Sequence, residues 1–167
     1  DITAYHLQQA QVLVDAGADF LAFETVPSMA EAKCILDAMD QLSSDVPCWI
    51  SFSCNSGSTT CAGDSFSEAV QLCVKHRKIF AVGINCTSPT HVASLLRSAR
   101  HLIGTKRFVV YPNSGEEFTK EKQWSPSDDS CTRAEYLSEW RALGATIFGG
   151  CCRVYADDIR DISQIIK

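Results

Sequence analysis

Five short apolar runs recur along the chain at nearly even spacing, and this rhythm restricts the fold more than any other feature. They are FLAFE at 20–24, WISFS at 49–53, FAVGI at 80–84, FVVY at 108–111 and TIFGG at 146–150. Most of their starts lie roughly 30 residues apart, the length of a strand with its crossover helix and turns. Each run is apolar almost throughout rather than alternating, as expected of parallel strands buried on both faces.

The segments between the runs carry helical periodicity. Met29, Ala32, Leu36 and Met39 keep one apolar stripe, as do Val92, Leu95, Leu96, Ala99 and Leu102, while Tyr136, Leu137 and Trp140 begin another. Start signals fall where these helices should open. Ser28 with Glu31, Ser65 with Glu68 and Thr132 with Glu135 have capping-box spacing, and Pro89 follows Ser88 as a first helical residue would. Gly17 and Gly144 stand at the ends of helical runs as stops. Basic residues gather at 75–78 and at Arg97 and Arg100, near helix C-termini, where the helix dipole favours cations.

The pattern is one helix followed by five βα units, with no domain boundary across 1–167. Two α/β architectures use it: an open doubly wound sheet, for which five strands suffice, and a (β/α)8 barrel, of which five are a part. In either case the segments that follow the strands, such as ETVPS, NCTSPT and CCRVYADD, collect polar residues where such folds build their sites.

Composition narrows the partners. A net charge of -5 argues against nucleic acid and anionic membrane surfaces, and the apolar runs are far shorter than the ~20 residues that span a bilayer. Nine cysteines, an odd number without an export signal, fit reduced thiols in the cytoplasm better than a disulfide framework. The chain opens on Asp1 in the middle of a helical pattern and reads as a piece of a longer protein.

Three cysteines stand at strand ends: Cys86 after the third run, and the adjacent Cys151 and Cys152 after the fifth. A continued strand would send the doublet to opposite faces. Gly149 and Gly150 are expected to bend the chain through backbone angles closed to other residues, so that both sulfurs meet. Three readings are open from the residues alone: ordinary buried cysteines, a vicinal redox pair, or three ligands to one soft cation with a coordination position to spare. Cys34 and Cys73 fall in helical patterns as small hydrophobes, and Cys48 precedes a strand. Cys54, Cys61 and Cys131 fall in loops, where they could be exposed thiols, and nothing assigns them a role. His6, His76, His91 and His101 all fall in helices, and no histidine stands at a strand end to activate a cysteine nucleophile.

LAFETVPS, AVGINCTSP, VVYPNSGE and FGGCCR occur together in an order and spacing that resembles the homocysteine S-methyltransferases, most closely the plant-type enzymes that use S-methylmethionine. The resemblance covers essentially the whole chain. It implies a (β/α)8 barrel, here about strands 4 to 8, with 1–167 as the C-terminal part of a single homocysteine-binding domain whose N-terminal βα units are missing. It implies zinc held by Cys86, Cys151 and Cys152, Glu24 on the amino group of homocysteine and Asn85 at the homocysteine pocket. Tyr111 to Glu116 would shape the rim or form a tight loop. The implied reaction moves a methyl group from a sulfonium donor, S-methylmethionine or S-adenosylmethionine, to the thiol of homocysteine, giving methionine. The alternative is an inactive truncated fragment that keeps the zinc cysteines. A half barrel has two open edges, so self-association through them is expected. The family usually continues GGCCRTTP, whereas Val154, Tyr155 and Ala156 follow Arg153 here, which predicts some loss of rigidity beside the thiols.

Overall fold

A computed structural model describes residues 1–119, 123–125 and 129–167. Helix α1 (Ile2–Asp15) leads into β1 (Leu21–Val26), α2 (Met29–Gln41), β2 (Cys48–Phe52), α3 (Phe66–Val74), β3 (Ile79–Asn85), α4 (Pro89–Ala99) and β4 (Arg107–Tyr111). A two-stranded hairpin, β5 (Glu117–Phe118) and β6 (Trp124–Ser125), precedes α5 (Ala134–Ala142), β7 (Ala145–Phe148) and α6 (Ala156–Ile165). All five apolar runs form strands, each within a residue or two of the expected bounds.

The five long strands are parallel and lie in the order β1-β2-β3-β4-β7, the order of the chain itself. A doubly wound sheet reverses its strand order and places helices on both faces. Here the order never reverses, and the helices pack on one face only. That face holds Ile50, Phe52, Val82, Ile84, Phe108 and Val110 against Ile35, Met39, Phe66, Val70, Leu95, Leu96 and Trp140, all buried. The opposite face carries Trp49, Ala81, Val109, Tyr111 and Ile147. The sheet is five consecutive βα units of a (β/α)8 barrel, with a concave inner face and an outer layer of helices.

Local chemistry explains most boundaries. The Ser28 and Ser65 hydroxyls accept from the backbone N–H of Glu31 and Glu68, opening α2 and α3. Gly17 and Gly144 end α1 and α5 with φ of 90° and 103°, angles that glycine adopts freely. Lys78 is buried, and its ammonium group donates to the Met39 and Leu42 carbonyls at 2.6 and 2.9 Å, closing the C-terminus of α2.

Several expectations change. Thr132 does not cap α5: Arg133 occupies that position, with no side-chain bond to the helix's free N–H groups, because Thr132 is drawn into a local turn with Ser130, whose hydroxyl accepts from its N–H at 3.3 Å. Ser88 holds the cap position of α4, but its hydroxyl pairs with that of Thr90 instead. His76 and His101 lie just past α3 and α4 rather than inside them. Of the three loop cysteines, Cys54 and Cys131 are buried at 5% and 1% exposure, since their loops fold back onto the helical layer, and Cys61 is exposed. Within the long loop after β4, 120–122 and 126–128 lie outside the described residues.

Candidate functional site

Strand register brings the site together. Asn85 at the end of β3 pairs with Tyr111 at the end of β4, and Val110 pairs with Phe148 at the end of β7. The residues that follow β3 and β7 therefore emerge at one level of the barrel rim. Cys86 takes a left-handed φ of 51° as the chain leaves the strand. Its sulfur lies 3.5 Å from that of Cys152, and the sulfurs of Cys86, Cys151 and Cys152 all fall within 4.8 Å of one another.

The doublet converges because β7 ends at Phe148, three residues before it. Beyond that point the backbone is held by the loop after β4. The Cys151 N–H donates to the Pro112 carbonyl at 2.8 Å, the Cys152 N–H to Asn113 Oδ1 at 3.3 Å, and the Ser114 N–H to the Cys152 carbonyl at 3.0 Å. The Val154 N–H closes a turn onto the Cys151 carbonyl at 3.2 Å. The PNSGE segment is thus the backbone template for the two thiols.

The glycines work differently from the expectation. Neither Gly149 nor Gly150 has a φ in the left-handed region; what they supply is room. A Cβ on Gly150 would meet Val154 Cγ1 at 2.1 Å, and one on Gly149 would meet Tyr111 Cβ at 3.2 Å. The left-handed residue of this turn is Arg153, at 64°. Its guanidinium pairs with Glu116 at 2.8 Å and lies over the rings of Trp124 and Tyr155, joining the hairpin loop to the thiol turn. That pairing holds the Glu116 carboxyl below its ordinary range. In place of the expected proline, the Asp158 carboxylate accepts from the Tyr155 N–H at 2.8 Å and opens α6.

Below the thiols lies a polar network on the concave face. The Tyr111 hydroxyl accepts from Trp49 Nε1 at 3.2 Å and shares a short hydrogen bond with Ser51. Ser51 also donates to Asn85 Oδ1 at 2.9 Å. Glu24, on the edge strand β1, is exposed on this face near Tyr111. Burial pushes the Tyr111 hydroxyl well above its ordinary range, and the Glu24 carboxylate adds to that rise. Burial, reinforced by the Cys152 and Cys151 thiols, pushes the Cys86 thiol up to about 12. A positive charge among the sulfurs would oppose that rise and favour the Cys86 thiolate.

The three-sulfur group is the right size for a metal ion. Thiolates around tetrahedral zinc, bonded at about 2.3 Å, stand about 3.8 Å apart; here Cys86 and Cys152 stand 3.5 Å apart and no sulfur pair exceeds 4.8 Å. Of the five candidate residues, Asn85, Cys86, Cys151 and Cys152 meet at this point, and Glu24 faces the same concave surface from β1. Thr25, Ser51 and Trp49 were not singled out from the sequence. A serine inside the apolar run WISFS was the available signal for one of them.

Fold and rim together define an α/β-barrel protein with a three-thiol cluster at the C-terminal ends of its strands. The homocysteine S-methyltransferase family profile matches residues 1–166, and the chain belongs to that family. Homocysteine S-methyltransferase 1 of Arabidopsis thaliana is 40% identical over 98% of this chain and 51% of its own length. Homocysteine S-methyltransferase 3 of the same plant is 37% identical over 98% of this chain and 48% of its own. The crystal structure of the metallated homocysteine methyltransferase MmuM from Escherichia coli superposes with a TM-score of 0.77 at 30% identity, covering 98% of this chain and 50% of that one. The chain spans about half the length of the curated relatives it matches.

Proposed function

We propose that this chain carries the zinc- and thiol-binding part of a methyltransferase that moves a methyl group from a sulfonium donor to homocysteine. The observation that carries the reading is the approach of three sulfurs, within 4.8 Å of one another, on loops that follow two separate strands. Cys86, Cys151 and Cys152 would hold Zn²⁺ and leave one of its four positions for the substrate thiol. Zinc, when bound, supplies the positive charge that keeps cysteine and substrate sulfur as thiolates near neutral pH.

The protein residues do the placing. Glu24, exposed on the concave face, holds the amino group of homocysteine, and Asn85 belongs to the wall of the pocket. The homocysteine sulfur forms a bond to the methyl carbon as the bond from that carbon to the donor sulfonium breaks. The electron pair of that bond returns to the donor sulfur, which leaves as a neutral thioether, while the thiol proton goes to solvent. No side chain need act as general base, in keeping with the absence of a histidine at the strand ends. S-methylmethionine and S-adenosylmethionine both supply such a sulfonium.

Residues 1–167 form the C-terminal part of one homocysteine-binding barrel in this reading. Among the described residues, strands β1 and β7 each have a neighbour on one side only, and α1 exposes Tyr5, Val12 and Leu13, which further βα units would cover. All nine cysteines are unpaired, which suits the reducing cytoplasm. Among the described residues no helix is long and apolar enough to cross a membrane.

The test is metal content together with turnover. About one zinc per chain is expected by elemental analysis, lost in Cys86→Ser, with methionine formed from homocysteine and S-methylmethionine. Full metal in Cys86→Ser would end the zinc reading. Zinc binding without methionine would leave this chain the metal-holding part only, as in the inactive-fragment alternative.

A further inference from the structure

Asn85 is 1% exposed, and its amide is saturated within the protein. A carboxamide has two acceptor lone pairs and two N–H donors, and all four are in use. Oδ1 accepts from the Thr25 backbone N–H at 2.8 Å and from the Ser51 hydroxyl at 2.9 Å. Nδ2 donates to Thr25 Oγ1 at 2.8 Å and to Cys151 Sγ at 3.9 Å. Which end of an amide is nitrogen follows from its partners, and here one partner decides it. A backbone N–H only donates, so Oδ1 faces Thr25 and the NH₂ group is left facing sulfur.

Thr25 reaches both ends of the amide through an unusual backbone. Its φ is 62°, a left-handed angle that a β-branched residue rarely adopts. The register between β1 and β2 slips between Phe23 and Val26, so Glu24 and Thr25 form the irregular step of the edge strand. Among the described residues three non-glycine positions have positive φ, Thr25, Cys86 and Arg153, and all three lie at the strand ends around the thiols. Strain of this kind persists where surrounding contacts over-determine it, and it gathers at functional sites.

We infer that Thr25 and Asn85 are a positioning pair for the Cys151 thiolate: Thr25 locks the amide of Asn85 from both ends, and the amide presents an N–H to the sulfur. A hydrogen bond to an ionised sulfur is charge-assisted. It aims one of the thiolate's lone pairs at the amide and leaves the others for the cation, the service that outer partners give metal ligands. With its bonding capacity spent inside the protein, Asn85 acts through Cys151 and not by a bond to substrate. The inference rests on the zinc reading above and adds to it the part played by β1.

The test uses the whole chain with Asn85→Asp, Thr25→Val, Thr25→Ser and Cys86→Ser, each checked by circular dichroism to be folded at the temperature used. Zinc affinity is measured by chelator competition, and Co²⁺ is the spectroscopic probe. Asn85→Asp keeps the acceptor for Thr25 and Ser51 but removes the N–H, and should weaken zinc about 10–100-fold. Thr25→Val should weaken it in the same direction and Thr25→Ser should restore it. Losing the N–H raises the energy of the sulfur lone pairs, so the sulfur-to-cobalt charge-transfer band should move to longer wavelength in Asn85→Asp. If Cys86→Ser loses zinc while Asn85→Asp and Thr25→Val bind within about twofold of the parent with an unmoved band, the positioning pair is refuted and the zinc reading stands. If Cys86→Ser keeps its zinc, both fall together.

Discussion

Gly150→Ala isolates the claim that the thiol turn depends on room. The new methyl group would lie 2.1 Å from Val154 Cγ1, 2.4 Å from Val154 Cβ and 2.8 Å from Val154 Cγ2. Carbon atoms in contact rest about 3.5–4.0 Å apart, so Val154 must retreat by well over an ångström. Val154 cannot move alone: its N–H is bonded to the Cys151 carbonyl, and it follows the left-handed Arg153. The retreat therefore drags the turn that carries Cys152. Overpacking of this kind costs about 1–3 kcal/mol, and disturbing the shell of a metal site typically weakens binding about 10-fold or more.

The distances also say which second change rescues it. Val154→Ala removes both γ-methyl groups but leaves the Cβ at 2.4 Å, so it relieves the clash only in part. Val154→Gly removes all three of these atoms. A double-mutant cycle between Gly150→Ala and Val154→Gly, read by urea unfolding and by zinc competition, should show a favourable coupling of about 1–3 kcal/mol. Additivity within about 0.5 kcal/mol, or a Gly150→Ala protein as stable and as zinc-avid as the parent, would refute the steric account.

Other outcomes follow from the same structure. Burial raises the Cys48 and Cys73 thiols from an ordinary 9.0 to about 12. Their folded pKa lies above the unfolded one, so the associated stability is complete below about pH 9 and falls by about 1.4 kcal/mol per pH unit per thiol toward pH 12. Urea unfolding at rising pH should show this slope, and Cys73→Ala should make it shallower; an unchanged slope would argue against the buried neutral thiol. Lys78→Met keeps the aliphatic stem but orphans the Met39 and Leu42 carbonyls. It should cost about 1–3 kcal/mol, and a neutral result in thermal melting would remove Lys78 from the capping of α2. The open edges of β1 and β7 and the exposed Tyr5, Val12, Leu13 and Phe20 should drive self-association, measurable by light scattering as a mass that rises with concentration. A compact monomer that melts cooperatively would contradict that.

Read alone, the chain yields whatever depends on near neighbours. Helices and strands are written in spacings of three to four residues and in short apolar runs, so the βα rhythm, the caps at Ser28 and Ser65 and the stops at Gly17 and Gly144 were all legible. So was the location of Cys86, Cys151 and Cys152 beyond strand ends, and the GINC and GGCC motifs carried the family. A misreading came where one local bond displaced another, as Ser130 did at Thr132, and burial stayed open where a loop folded over its own cysteine, as at Cys54 and Cys131.

The tertiary structure decided what depends on pairing. An apolar run does not state which strands it lies beside; the unreversed order from β1 to β7, with the helices on one face, separates a barrel from a doubly wound sheet. Cys86 and Cys152 are 66 residues apart along the chain, and their 3.5 Å approach is set by the registers of β3, β4 and β7. Thr25 has no signature in sequence: its left-handed backbone belongs to the irregular step of β1 against β2, and its partner Asn85 lies 60 residues further along the chain. A residue's own preferences are carried in its side chain, whereas convergence and strain arise only once distant strands have locked side by side.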